Sequence, residues 1–67
     1  MPNISLEAAR VNAKLTQVEL AEELGVSPTT VCNWETGKSE PTLSQLRKIS
    51  TLSGIPMDFI FVPEKSN

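Results

Sequence analysis

Thr29 and Asn33 stand four residues apart and carry groups suited to reading a hydrogen-bonding edge. An asparagine amide sets a donor beside an acceptor and can pair bidentately with N6 and N7 of adenine, while a threonine methyl can lie against the methyl of thymine. Pro28 and Cys32 occupy the neighbouring outward row. Neither has a strong hydrogen-bonding group, so apolar contact with a thymine methyl or plain steric fit is what they can supply. A second set, Gln17, Ser27, Thr30, Thr36 and Lys38, lies at or near predicted helix ends. There, unpaired backbone N–H groups, hydroxyls and an ammonium can meet phosphate oxygens and fix position without reading sequence. Thr42 and Ser44 open a later helix and suit the same role, whereas Arg47 and Lys48 read as solvated helix charges. Bond-breaking chemistry has no comparable set. There is no histidine, no pair of carboxylates at catalytic spacing and no phosphate-binding glycine loop, so no enzyme and no cofactor are expected. A single cysteine, Cys32, excludes an internal disulfide and a multi-cysteine metal site.

These side chains need helices to present them. Thr16 reads as an N-cap, and Glu19 three residues on completes a capping box. Val18, Ala21 and Leu24 then mark an apolar stripe at helical spacing, widened by Leu20. Gly25 supplies a residue that can take positive φ after the last turn. Ser27 caps the next helix and Pro28 fits its first position, where an N–H would be unpaired anyway. Val31 and Trp34 are the apolar positions of that helix, so Pro28, Thr29, Cys32 and Asn33 must point away from the core. Two short helices joined by a tight turn, the second with a narrow buried face, have the geometry of a helix-turn-helix.

Three further helices are predicted. Ser5 caps a first helix running to about Ala13, with Leu6, Ala9 and Ala13 inward. It ends without a glycine, so Lys14 or a neighbour has to take positive φ. After the loop Lys38 to Pro41, Thr42 and Gln45 form a second capping box, and Leu43, Leu46, Ile49 and Leu52 make the core stripe of a helix closed by Gly54. Pro56 suits the first position of a short fifth helix, Pro56 to Phe61, with Ile60 and one phenylalanine finishing the core. The predicted class is all-α, a compact five-helix bundle with its helix-turn-helix at the second and third helices. Residues 1–67 form one domain, with its core at about 4–61 and a C-terminal tail at 62–67.

Gln17, Leu20-Ala21, Leu24-Gly25-Val26-Ser27, Val31, Trp34-Glu35 and Gly37 together resemble the signature of the Cro/lambda-repressor class of helix-turn-helix proteins, also called the XRE family. Arg10 before them, and Pro41, Leu46 and Ile49 after them, are similar to the flanking pattern, so the resemblance covers about residues 4 to 61. It implies a lambda-repressor-like fold and places Pro28, Thr29, Cys32 and Asn33 at groove-facing positions. It implies that the Gln17 amide reaches the sugar-phosphate backbone. It also implies a partly buried ion pair between Arg10 and Glu35, a structural pair linking the first and third helices; Trp34, beside Val31 and Leu24, reads as core.

Composition sets the surroundings. Sixty-seven residues leave no room for a second core, and a domain of this size buries only about 60% of its unfolded surface. No apolar run approaches the ~18 residues of a membrane span and no signal-peptide layout is present, so a cytoplasmic, nucleoid-associated protein is expected. With one domain, control by abundance or by a separate partner is expected over control by a small molecule. Net charge is −2, whereas nucleic-acid binders are commonly basic. Glu19, Glu22 and Glu23 fall on the second helix, with Asp58 and Glu64 near the C-terminus, while Lys14 and Lys38 border the outward face of the third helix. Residues 55–62 include six large apolar side chains, too many for one short helix to bury, and Ile55, Met57 and Phe61 are assigned to a dimer interface. The expected function is a sequence-specific transcriptional regulator, a repressor binding a palindromic operator in double-stranded DNA as a homodimer. The alternative, favoured by the acidic surface, is an antitoxin or adaptor whose partner is a protein.

Overall fold

Each of the four α-helices among the described residues begins on a hydroxyl. In the computed structural model, which describes residues 4–63, Ser5, Thr16, Ser27 and Thr42 each accept from the backbone N–H three residues on. They start α1 (Leu6–Asn12), α2 (Gln17–Leu24), α3 (Pro28–Thr36) and α4 (Leu43–Ser53). At Thr16 and Thr42 the box closes from the other side, with Glu19 Oε1 and Gln45 Oε1 each accepting from the cap N–H at 2.8 Å. Gly25, in the left-handed region at φ 70°, ends α2, and Val26 N donates back to Ala21 O at 3.0 Å, so the turn into α3 needs only three residues. The end of α1 has no glycine, and Lys14 itself takes φ 62°.

A single core joins every helix. Leu6 and Ala9 of α1, Leu20 and Ala21 of α2, Val31 and Trp34 of α3 and Ile49 of α4 are buried together, with Ile60 from the C-terminal segment. Ile4, Leu15, Leu24, Val26, Leu46, Leu52 and Ile55 pack around them, half-buried. Two members of the predicted stripes do not. Val18 is 51% exposed, because the inward row of α2 is Gln17, Leu20, Ala21 and Leu24 (spacing i, i+3, i+4, i+7), and Val18 lies off it. Leu43 is 60% exposed, standing in the first turn of α4 before the row of Leu46, Ile49 and Ser53 meets the core. Ala13 at the end of α1 is half-buried.

The C-terminal segment corrects the prediction of a fifth α-helix. Pro56 takes ψ 139°, an extended value, and does not open a helix. A single 3-10 turn follows at Met57–Phe59, held by Phe59 N donating to Pro56 O at 2.9 Å. The chain then straightens into β2 (Ile60–Phe61), which pairs in parallel with β1 (Ile4–Ser5), Ile4 opposite Ile60 and Ser5 opposite Phe61. Six residues are too few for a stable helical turn stack, and β-branched and aromatic neighbours favour extended backbone. Alternation along β2 sends Ile60 inward at 8% exposure and Phe61 outward at 52%. Phe59 is also 52% exposed, so neither phenylalanine finishes the core, contrary to the sequence expectation. The tail beyond residue 63, including Glu64, lies outside the described residues.

Candidate nucleic-acid interface

The third helix is laid down by its own two ends and by α2. Ser27 Oγ accepts from Thr30 N at 3.2 Å and lies 3.0 Å from Thr30 Oγ1, so the two hydroxyls predicted to meet phosphate are paired with each other. Pro28 fills the first helical position, where its lack of an N–H costs nothing. At the other end Thr36 Oγ1 donates to Cys32 O at 3.0 Å and reaches Asn33 O at 3.4 Å, which turns it back onto its own helix. Burial of Val31 and Trp34, three apart, then sets which side faces out.

On that outer side Pro28 and Thr29 are exposed, and Cys32 and Asn33 are half-buried. Among the described residues no hydrogen bond engages the side chains of Thr29 or Asn33. Their hydroxyl and amide are therefore available to an external partner, and two turns of a slender helix carry them. Cys32 is a free thiol on the same surface.

Behind this surface sits a polar knot. Glu35 has a side chain only 5% exposed, and Arg10 Nε donates to its Oε2 at 2.6 Å. Arg10 Nη2 lies 3.4 Å from Glu35 Oε1, and Arg10 Nη1 donates to Leu15 O at 2.8 Å, tying the α1–α2 turn to α3. Gln17 Nε2 donates to Glu35 Oε1 at 2.9 Å. One N–H of the Gln17 amide is thus directed inward, and its second amide N–H and the backbone N–H at the first turn of α2 are what a phosphate could use. The sequence does not announce this bond, although the spacing of Gln17 from Leu20, Ala21 and Leu24 puts it on the inward row.

Charge is unevenly spread over the surface. Lys14, Lys38, Arg47 and Lys48 are exposed, whereas Arg10 is consumed by Glu35. Glu19, Glu22 and Glu23 are exposed on α2, with Glu40 and Asp58 elsewhere. Of the three residues assigned to a dimer interface, Phe61 is exposed, Met57 is half-buried and Ile55 packs against the core of its own chain. Among the described residues no group of three or more histidine, cysteine or acidic side chains is placed to hold a metal. No helix there is long and apolar enough to cross a membrane.

Comparison with known proteins agrees with this geometry. A family model described as helix-turn-helix matches residues 6–60, nearly all of the described chain. The HTH-type transcriptional activator BcrR of Enterococcus faecalis is 36% identical over 63 residues, which cover 94% of this chain and 31% of that protein. An uncharacterised HTH-type transcriptional regulator, MJ0272 of Methanocaldococcus jannaschii, is 39% identical over 59 residues, covering 88% of this chain and 89% of its own length. The chain thus spans about a third of the activator and most of the archaeal regulator. No solved structure matches it.

Proposed function

The chain belongs to the helix-turn-helix family, and from that membership we propose that it is a sequence-specific DNA-binding regulator of transcription, a repressor that binds a palindromic operator as a dimer. One observation carries the reading: among the described residues the side chains of Thr29 and Asn33 make no hydrogen bond, and they stand on the side of α3 opposite its buried Val31 and Trp34. In the major groove Asn33 pairs with an adenine edge, Thr29 and the apolar Pro28 and Cys32 meet thymine methyls, and Lys38 and the first-turn N–H groups of α2 meet phosphates. Ser27, Thr30 and Thr36 approach the backbone with hydroxyls already paired within α3, so they contribute less than free donors would. Both named relatives are called transcriptional regulators, which supports the same role here.

Repression follows if the bound dimer covers a promoter. Activation is a second reading, favoured by the name of the Enterococcus relative. The adaptor alternative draws its support from the exposed acidic residues of α2 and from the exposed Phe59 and Phe61. Selection of bound sites from random DNA, followed by gel shifts on the recovered sites, tests the proposal. A recovered motif with two-fold symmetry is expected. Failure to enrich any sequence would favour a protein partner.

A further inference from the structure

Gln17 bonds inward as well as standing where phosphate would lie. Its amide nitrogen lies 2.9 Å from Oε1 of Glu35, a carboxylate whose side chain is 5% exposed and whose other oxygen is held by Arg10 at 2.6 Å. Among the described residues this is the one side-chain hydrogen bond between α2 and α3. Leu20 and Ala21 of α2 share the buried core with Val31 and Trp34 of α3, and non-directional apolar packing resists separation better than it resists a small slide or roll. A directional bond to a residue two positions beyond Asn33 does resist it. Gln17 is half-buried on the inward row of α2, on the side that faces Glu35.

We infer that Gln17 is a positioning residue, which locks the roll of the reading helix on α2 through Glu35 and thereby sharpens discrimination at the base pair that Asn33 meets. Because a direct base contact depends on placement to a fraction of an ångström, loss of the lock lowers specificity more than overall affinity. A residue that only touched phosphate would do the reverse, weakening every sequence alike. The inference rests on the DNA-reading proposal above.

The test uses the full chain and the operator it selects from random DNA. Affinity is compared for that operator, for the operator changed at the base pair relaxed by Asn33→Ala, and for unrelated DNA. Gln17→Met keeps the length of the side chain and removes its donor. It is expected to lower the ratio of the first two affinities by at least about fivefold, the low end of what one good bidentate contact contributes, while unrelated DNA is bound about as before. Gln17→Lys restores a donor to Glu35 and should bring the ratio back, although its added charge raises affinity for all DNA. Circular-dichroism melts identify which variants are folded. If Gln17→Met does not fold, Gln17→Ser, whose side chain is too short to reach Glu35, takes its place, a lowered ratio supporting the role and a parental one overturning it. A folded Gln17→Met with the parental ratio, or with an equal loss on all three DNAs, overturns the inference while leaving DNA reading intact. A parent chain that selects no sequence removes the DNA reading itself, and this inference with it.

Discussion

At the scale of single residues, the difference that matters is between side chains bonded within the protein and those left open. Thr29 and Asn33 are open; Ser27, Thr30 and Thr36 are not. Asn33→Ala should therefore relax preference at one base pair per half-site, by about 1–3 kcal/mol for a lost bidentate contact, and a repeat of site selection with the variant measures it. An unchanged motif would mean that another residue reads that position. How much of this surface can be read from the sequence follows from the core residues. Val31 and Trp34 must be buried, so Pro28, Thr29, Cys32 and Asn33 must face away from them. Hydroxyl pairing is harder to see, because Ser27 and Thr30 satisfy each other only once the helix has formed. The inward row of Gln17 is legible in its spacing from Leu20, Ala21 and Leu24, but its partner is not, since a first-turn glutamine looks the same in sequence whether its amide meets a phosphate or a carboxylate from another helix.

At the scale of elements, the caps decide where helices start and stop, and they act locally enough to be legible. Thr16 with Glu19 and Thr42 with Gln45 form their boxes in the structure, and Lys14 takes the positive φ that a glycine-free turn required. The same turns supply a pair of opposite predictions. Gly25 sits at φ 70° with nothing within 4 Å of where a Cβ would stand, so Gly25→Ala sets about 1–2 kcal/mol of conformational strain against a gain of about 0.5–1 kcal/mol in chain entropy and should leave stability unchanged or lowered by up to about 1.5 kcal/mol. Lys14→Gly relieves strain of the same origin at φ 62°, against a loss of about 0.5–1 kcal/mol in chain entropy, and should leave stability unchanged or raised by up to about 1.5 kcal/mol. Urea denaturation of the two variants checks both signs, and a destabilised Lys14→Gly would show that the lysine side chain makes up for its backbone. Elements whose form depends on distant partners were less legible. Ile60 and Phe61 are extended because Ile4 and Ser5 lie alongside them, a pairing of residues 56 apart that no local pattern announces. The exposure of Val18 and Leu43 has a related cause: helical spacing marks a stripe, but only the neighbouring helices decide where along it the core begins.

At the scale of the whole molecule, an acidic chain reading DNA must rely on few cations. The described residues expose Lys14, Lys38, Arg47 and Lys48, four per protomer, and Arg10 is paired internally. With a slope of about −0.9 for each neutralised phosphate, log K against log salt for a dimer should fall no more steeply than about −7, and a salt titration of operator binding that is much steeper would place further cations on the DNA. Two protomers acting together also need a surface to share. Two-fold pairing would set two copies of α3 about 34 Å apart, one turn of the duplex, and would bring each patch against its own copy. Phe61 is half exposed at the outer face of β2, with Phe59 beside it in the preceding turn, and both are remote in the chain from α3. Burying a large apolar side chain contributes roughly 1.5–3 kcal/mol, so a charge placed there should separate the protomers. Because Phe61 points away from the core while Ile60 fills it, Phe61→Glu should yield folded monomers with much weakened operator binding, and Ile60→Glu should unfold the domain. Met57 is half-buried, so Met57→Glu should also weaken the dimer at some loss of stability, while Ile55 packs against the core of its own chain. Sedimentation of the Phe61→Glu and Met57→Glu proteins decides the matter: a stable dimer in both would move the interface elsewhere, and a parent chain that is monomeric until operator is added would mean that DNA itself brings the protomers together.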